Sequence, residues 1–262
     1  MSSRIWYARI RFLYRRKDEP LRYSEEAIIP FYMVTEDGSL TLANLVNLVQ
    51  QVSERQLTGI ASQMEMVQRY NIGWVITQSH IDITRMPRAE EHVTLWTEAT
   101  EYNRLLCYRD YGVLDADGNE LVVIHSTWVM MDLNTRKIVP IIDEIVEGYG
   151  AQKVTKVKRL PRLPRFSDPD GDRTYWVRYF DIDTNHHVNN VHYFDWMQDA
   201  LGYDWMRSHK LISANIKYER EVEPGTQLLS EYKTSEEDGQ IVTYHQVRVG
   251  EQSNAIARLV WA

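Results

Sequence analysis

The chain has 262 residues, 44% of them hydrophobic and 26% charged, which is the composition of an ordinary globular protein with room for one large domain or two modest ones. A formal net charge of -7 argues against nucleic acid as the main partner, because phosphate backbones are bound through clustered positive charge. The single cysteine, Cys107, excludes an intramolecular disulfide and a multi-cysteine zinc site, and the lack of a long apolar run predicts a cytoplasmic protein without a membrane span.

Taken in chain order, residues 6–14, 23–34, 73–84, 92–100, 105–114 and 121–132 are rich in β-branched and aromatic side chains and read as strands. Asp117-Gly118 falls between two of these runs and Asp238-Gly239 between two later ones, which marks hairpins and so an antiparallel sheet. Between the second and third runs, Leu42, Leu45, Val46, Val49 and Val52 recur at helical spacing, with Ser39 and Thr41 as candidate N-caps. Strand, helix, then several long strands is the order expected of a sheet wrapped around one helix. The second half repeats it: a strand over 174–182, a helix over about 191–206, and strands over 212–222, 226–234, 241–249 and 255–261. Aligning Pro87 with Pro224 at the ends of matching strands places Thr84 opposite Glu221.

These patterns predict an N-terminal domain over 1–133, a linker over 134–170 and a C-terminal domain over 171–262. Pro140, Pro161, Pro164 and Pro169 punctuate the linker. Its middle carries Lys153, Lys156, Lys158, Arg159, Arg162 and Arg165 with no acid between 151 and 166, so it is either a solvated connector or a docking patch for an acidic partner.

The densest polar cluster runs from Asp181 to Tyr193, between a strand and a helix. If 183–187 is extended, Asp183, Asn185 and His187 share one face and His186 points away. Asn189 or Asn190 then caps the following helix, whose first N–H groups suit an oxyanion. A capped helix with a polar entry turn is the plainer alternative. His186, His187 and His192 complete no familiar ligand set, so no metal and no cofactor is expected.

Asp183-x-Asn185-x-His187-Val-Asn-Asn190-Val-x-Tyr193, followed by Trp196, resembles the signature of the acyl-acyl carrier protein thioesterases of plants and bacteria. Trp74-Val-Ile-Thr77, Arg85-x-Pro87, Trp128-Val-Met-Met131 and Tyr218-x-Arg220-Glu221 extend the resemblance from about residue 4 to the end. The resemblance implies an α+β fold of two tandem hot-dog domains, the first holding the acyl chain and the second catalytic. It also implies that Asp183, Asn185, His187 and Glu221 hydrolyse a fatty acyl thioester of acyl carrier protein, an acidic partner suited to the basic linker. An apolar tunnel is then expected around residues 42–52 and strand 73–84. Where many plant members have cysteine after the glutamate, this chain has Val222, which rules out a Cys-His mechanism there. Cys107, among apolar neighbours, reads as structural. The rival readings are an acyl-coenzyme A thioesterase, a hydroxyacyl-thioester dehydratase and a non-catalytic acyl sensor. Oligomeric state is left open. No Gly-x-Ser-x-Gly points to a serine hydrolase.

Overall fold

The protein, seen in a computed structural model that describes residues 21–59 and 61–262, begins with strand β1 (Tyr23–Ile28). The strand expected at 6–14 lies outside the described residues. Helices α1 (Leu42–Thr58) and α2 (Ala61–Arg69) follow, then β2 (Ile72–Ile83), β3 (His92–Tyr102), β4 (Cys107–Leu114) and β5 (Glu120–Asp132). After the short β6 (Lys137–Val139), α3 (Asp143–Glu147) and β7 (Gln152–Lys153), the second half repeats the order. It comprises β8 (Gly171–Trp176), α4 (His192–Leu201), α5 (Tyr203–Ser208), β9 (Leu211–Tyr218), β10 (Gln227–Glu237), β11 (Gln240–Val249) and β12 (Gln252–Trp261).

Three strands stop earlier than their residue types predict, the run 212–222 ending at Tyr218, after which the Glu219 and Arg220 N–H groups share the Asn254 carbonyl. The run 23–34 ends as a strand at Ile28, because Pro30 has no N–H for the ladder, and a 3₁₀ turn forms over Phe31–Met33. The run 174–182 ends at Trp176 and turns through Tyr179–Asp181, where the Asp181 carboxylate accepts the Arg178 N–H at 2.8 Å. The helix expected over 191–206 is two helices, since Gly202 between them has φ 90°, a conformation that a side chain opposes. By contrast α1 runs on to Thr58, with the Thr41 hydroxyl accepting the Asn44 N–H at 3.1 Å. Its stripe of Leu42, Leu45, Val46, Val49 and Val52 is buried; the full burial of Leu45 alone contributes roughly 1.5–3 kcal/mol.

One antiparallel sheet carries both halves in the order β1-β3-β4-β5-β2-β9-β12-β11-β10-β8. The halves join where β2 pairs with β9, from Gln78 opposite Lys217 through His80 opposite Asn215 to Asp82 opposite Ser213. Ile83 lies opposite Val122 in the first half, and Tyr218 opposite Ala255 in the second. Each half therefore curls its strands around its own helix, α1 or α4, and the two helices pack into one core with Phe194, Met197 and Trp261. This is the tandem hot-dog.

The chain between the halves is not a loose connector. Lys158 exchanges two backbone hydrogen bonds with the Tyr108 hydroxyl, at 3.0 and 3.1 Å. The Pro161 carbonyl then accepts from Gln78 of β2 at 2.9 Å and from Asn215 of β9 at 3.2 Å, so the segment straps the seam.

Candidate active site

The loop between the Tyr179–Asp181 turn and α4 is a closed turn rather than the extended stretch expected. Ile182 bridges Val188, and the Asp183 N–H donates to the His187 carbonyl at 2.8 Å. His186 takes the left-handed conformation, φ 64°, which lets the chain reverse. Asp183 is the turn's organiser: its Oδ1 accepts the N–H of Asn185 at 2.8 Å and of His187 at 3.4 Å, and its Oδ2 lies 3.4 Å from the Asn185 amide. Asp183, Asn185 and His187 thus come together through a turn, not through strand alternation.

Glu221 reaches the loop from the segment after β9, its Oε2 3.2 Å from Nε2 of His187. The two side chains are 46% and 33% exposed, so the pair lies open to water. Beneath it the Tyr193 and Tyr218 rings meet edge-on at 5.5 Å. Burial first, and then the Glu221 charge, pushes the Tyr193 phenol up, while burial raises Tyr218 well above its ordinary value. Both hydroxyls therefore stay protonated, and that of Tyr218 donates to the Asn190 carbonyl at 3.2 Å.

The N-terminus of α4 offers less than expected. Asn189 accepts the Val191 N–H through its side chain at 3.3 Å and the His192 N–H through its carbonyl at 3.1 Å. The residue that sequence reasoning missed is Arg136, in the turn between β5 and β6. Its Nη2 is 2.6 Å from Glu221 Oε1 and 3.3 Å from His187 Nε2. An arginine in a turn between two strands carries no sequence signal that it reaches a loop about fifty residues further on.

The first half repeats the loop without its chemistry. Val34 bridges Leu40 as Ile182 bridges Val188, and the Thr35 N–H donates to the Ser39 carbonyl at 2.8 Å. Gly38, φ 80°, stands where His186 stands, so Thr35, Asp37 and Ser39 replace Asp183, Asn185 and His187. The alignment of Thr84 with Glu221 needs correction. The Thr84 and Arg85 N–H groups share the Leu121 carbonyl just as those of Glu219 and Arg220 share Asn254, which makes Met86 the counterpart of Glu221. The Glu36 carboxylate of this loop is taken by Tyr203 at 2.7 Å and Arg207 at 2.8 Å, both on α5.

A cavity of about 60 Å³ lies in the first half, bounded by the last turns of α1, by β2 to β5 and by α3. Leu42, Leu45, Val46, Val49 and Val52, expected to line a tunnel, are packed core instead; the cavity starts one turn later, at Ser53 and Glu54, while strand 73–84 lends it Trp74. It is not wholly apolar. Arg109 on its wall is buried and donates to Gln56 at 2.7 Å and Thr97 at 2.9 Å, and burial pushes Glu54 up. Cys107 is also on the wall, buried, its thiol pushed up to about 11 chiefly by that burial, which leaves it protonated and poorly nucleophilic. Among the described residues no group of histidine, cysteine and carboxylate side chains is arranged to hold a metal ion.

Comparison with known proteins agrees with this architecture. Residues 20–149 match the acyl-ACP thioesterase N-terminal domain and residues 167–262 the C-terminal domain. The chain is 26% identical over 248 residues to the oleoyl-acyl carrier protein thioesterase 2 of Arabidopsis thaliana, covering 87% of this chain and 67% of that protein. Against the oleoyl-acyl carrier protein thioesterase of Coriandrum sativum it is 25% identical, and it spans 60% of that protein's length. Among solved structures, a putative oleoyl thioesterase from Lactobacillus plantarum superposes with a TM-score of 0.89 at 38% identity, over 94% of this chain and 97% of that one. The 12:0-ACP thioesterase of Umbellularia californica shares the fold, with a TM-score of 0.82 at 22% identity over 92% and 94%. With both domain families matched in order along one continuous sheet, the chain belongs to the acyl-ACP thioesterase family.

Proposed function

We propose that this protein hydrolyses fatty acyl thioesters of acyl carrier protein to free fatty acid and carrier thiol, with Asp183, Asn185, His187 and Glu221 as its catalytic residues. The observation that carries the reading is the His187 and Glu221 pair, 3.2 Å apart and open to water, with His187 on the same Asp183-organised turn as Asn185. A water held by Glu221 gives a proton to His187 as its oxygen attacks the thioester carbonyl carbon. The carbonyl oxygen becomes an anion, which the Asn185 amide stabilises together with N–H groups at the start of α4. Asn185 carries the larger share, because Asn189 already engages the Val191 and His192 N–H groups. The carbon–sulfur bond then breaks, and the imidazolium returns its proton to the leaving sulfur. Attack by Asp183 itself, through an anhydride, is the weaker route: both its oxygens are engaged in shaping the turn. On this reading the end of the acyl chain enters the first-half cavity, which is lined by Trp74, Cys107 and Trp128.

The test is release of free thiol from a panel of acyl thioesters carried by acyl carrier protein or coenzyme A. His187→Ala and Glu221→Ala, folded as judged by circular dichroism, should each lower kcat by roughly 10²-fold or more. Faster cleavage of coenzyme A esters would move the assignment to an acyl-coenzyme A thioesterase. No cleavage of any thioester would leave the dehydratase and sensor readings in its place.

A further inference from the structure

The catalytic set named above comes wholly from the second half, yet a side chain of the first half reaches into it. The turn between β5 and β6 is tightly made: the Arg136 N–H donates to the Asp132 carbonyl at 2.9 Å, and Asp132 Oδ1 accepts the N–H of Asn134 at 3.1 Å and of Thr135 at 2.7 Å. Arg136 itself has φ 55°, a left-handed conformation uncommon for a residue with a side chain. That conformation directs its guanidinium at the second half, onto Glu221 and His187. Glu221, for its part, has no other side-chain partner among the described residues than Arg136 and His187.

We propose that Arg136 is a positioning residue for the hydrolysis. Its guanidinium fixes the Glu221 carboxylate against Nε2 of His187, so the site is complete only where the two halves meet. This rests on the thioesterase reading of the site. A guanidinium has donors and no acceptor, so it cannot serve as the base; what it can do is hold a half-exposed carboxylate in one rotamer, here through a single nitrogen, Nη2, that reaches both Glu221 oxygens. An exposed pair of this kind contributes little to stability, whereas misplacement of a reacting group by an ångström costs a large factor in rate. Arg136 should therefore matter to turnover far more than to folding.

The experiment uses the full chain with Arg136→Ala and Arg136→Lys, each alone and in the Glu221→Ala background. Arg136→Ala is expected to lower kcat by roughly 10- to 100-fold with KM within about twofold, as loss of positioning predicts. Lysine should restore part of the rate, as should guanidinium ion added at millimolar, non-denaturing concentration. In the Glu221→Ala background Arg136→Ala should cost nothing further, because Arg136 acts through Glu221. The imidazole nitrogen resonances of His187 should move in Arg136→Ala while the melting temperature stays within a few degrees. Unchanged kcat, a loss confined to KM, or a loss that adds in full to that of Glu221→Ala overturns the proposal; the last would mean direct contact with substrate. If the wild type cleaves no thioester, the hydrolase reading falls by itself. The resonances then still decide, since unmoved His187 signals overturn the positioning role.

Discussion

His245 is a buried histidine with no part in the proposed chemistry. Its Nε2 lies 2.8 Å from the Thr243 hydroxyl, which accepts the Trp261 indole N–H at 2.8 Å, and its Nδ1 has no partner among the described residues. Burial pushes its pKa down from 6.5 to about 3. Because the folded value is depressed, the native state refuses a proton that the unfolded chain accepts below pH 6.5. Stability is therefore full above that pH and falls as the pH drops toward 3. The loss between pH 6.5 and pH 5 is about 2 kcal/mol, from one proton over one and a half pH units. Urea denaturation between pH 5 and 7 should show this dependence in the wild type and a flatter one in His245→Asn; parallel curves would contradict it. At this scale the sequence makes legible what depends on residue type and neighbours: that Cys107 is buried, and that Asp183 and His187 share one loop. It was silent on Arg136, whose partner Glu221 lies 85 residues away and is reached only through the tertiary fold.

The loops ahead of α1 and α4 show one backbone serving two ends. Both are five-residue reversals closed by a bridge, and both have a positive φ at the fourth position, Gly38 in one and His186 in the other. Since the left-handed conformation is what position 186 requires, His186→Gly should keep thioesterase activity within about threefold and hold or raise stability. His186→Val, with its branched side chain, should strain the turn and cut kcat by roughly tenfold or more through misplacement of Asn185 and His187. Thiol release and thermal melting of the two variants check this; equal activity in both would separate the turn's shape from its function. The reading of 183–187 as extended failed because alternation is a rule for ladders, and here Asp183 supplies local bonds that compete with a ladder. Two of the expected strands that overrun, 23–34 and 174–182, do so because residue type alone does not show a local turn. Phe31, Tyr32, Tyr179 and Phe180 look like strand residues, yet they stand exposed on 3₁₀ turns.

Across the whole molecule, the β2 and β9 pairing makes one sheet of two halves, and the strap from Lys158 to Pro161 crosses that join. Its charge is partly spent inside the molecule. Lys153 pairs with Asp143, Lys158 with Glu101 at 2.9 Å and Arg165 with Glu219 at 2.6 Å, whereas Lys156, Arg159 and Arg162 have no acidic partner among the described residues. If the strap steers an acidic carrier protein, the unpaired three should do most of it. Reversing Lys156, Arg159 and Arg162 to glutamate should raise KM for carrier-bound substrate by roughly tenfold at low salt, with the difference shrinking as salt screens it. Substrates on coenzyme A should be much less affected, and identical carrier kinetics before and after would end the steering idea. The duplicated order of elements was legible in the sequence because each half repeats its own periodicity; the strap was not, because its anchors are single side chains on distant strands. The covalent joining of the halves has a further consequence for descent. In a symmetric pair of identical chains every mutation strikes both sites at once, so a change that suits substrate capture and spoils catalysis is lost. Here the half holding Thr35, Asp37, Ser39 and Met86 is free to drift toward one task while the half holding the proposed catalytic residues Asp183, Asn185, His187 and Glu221 keeps the other.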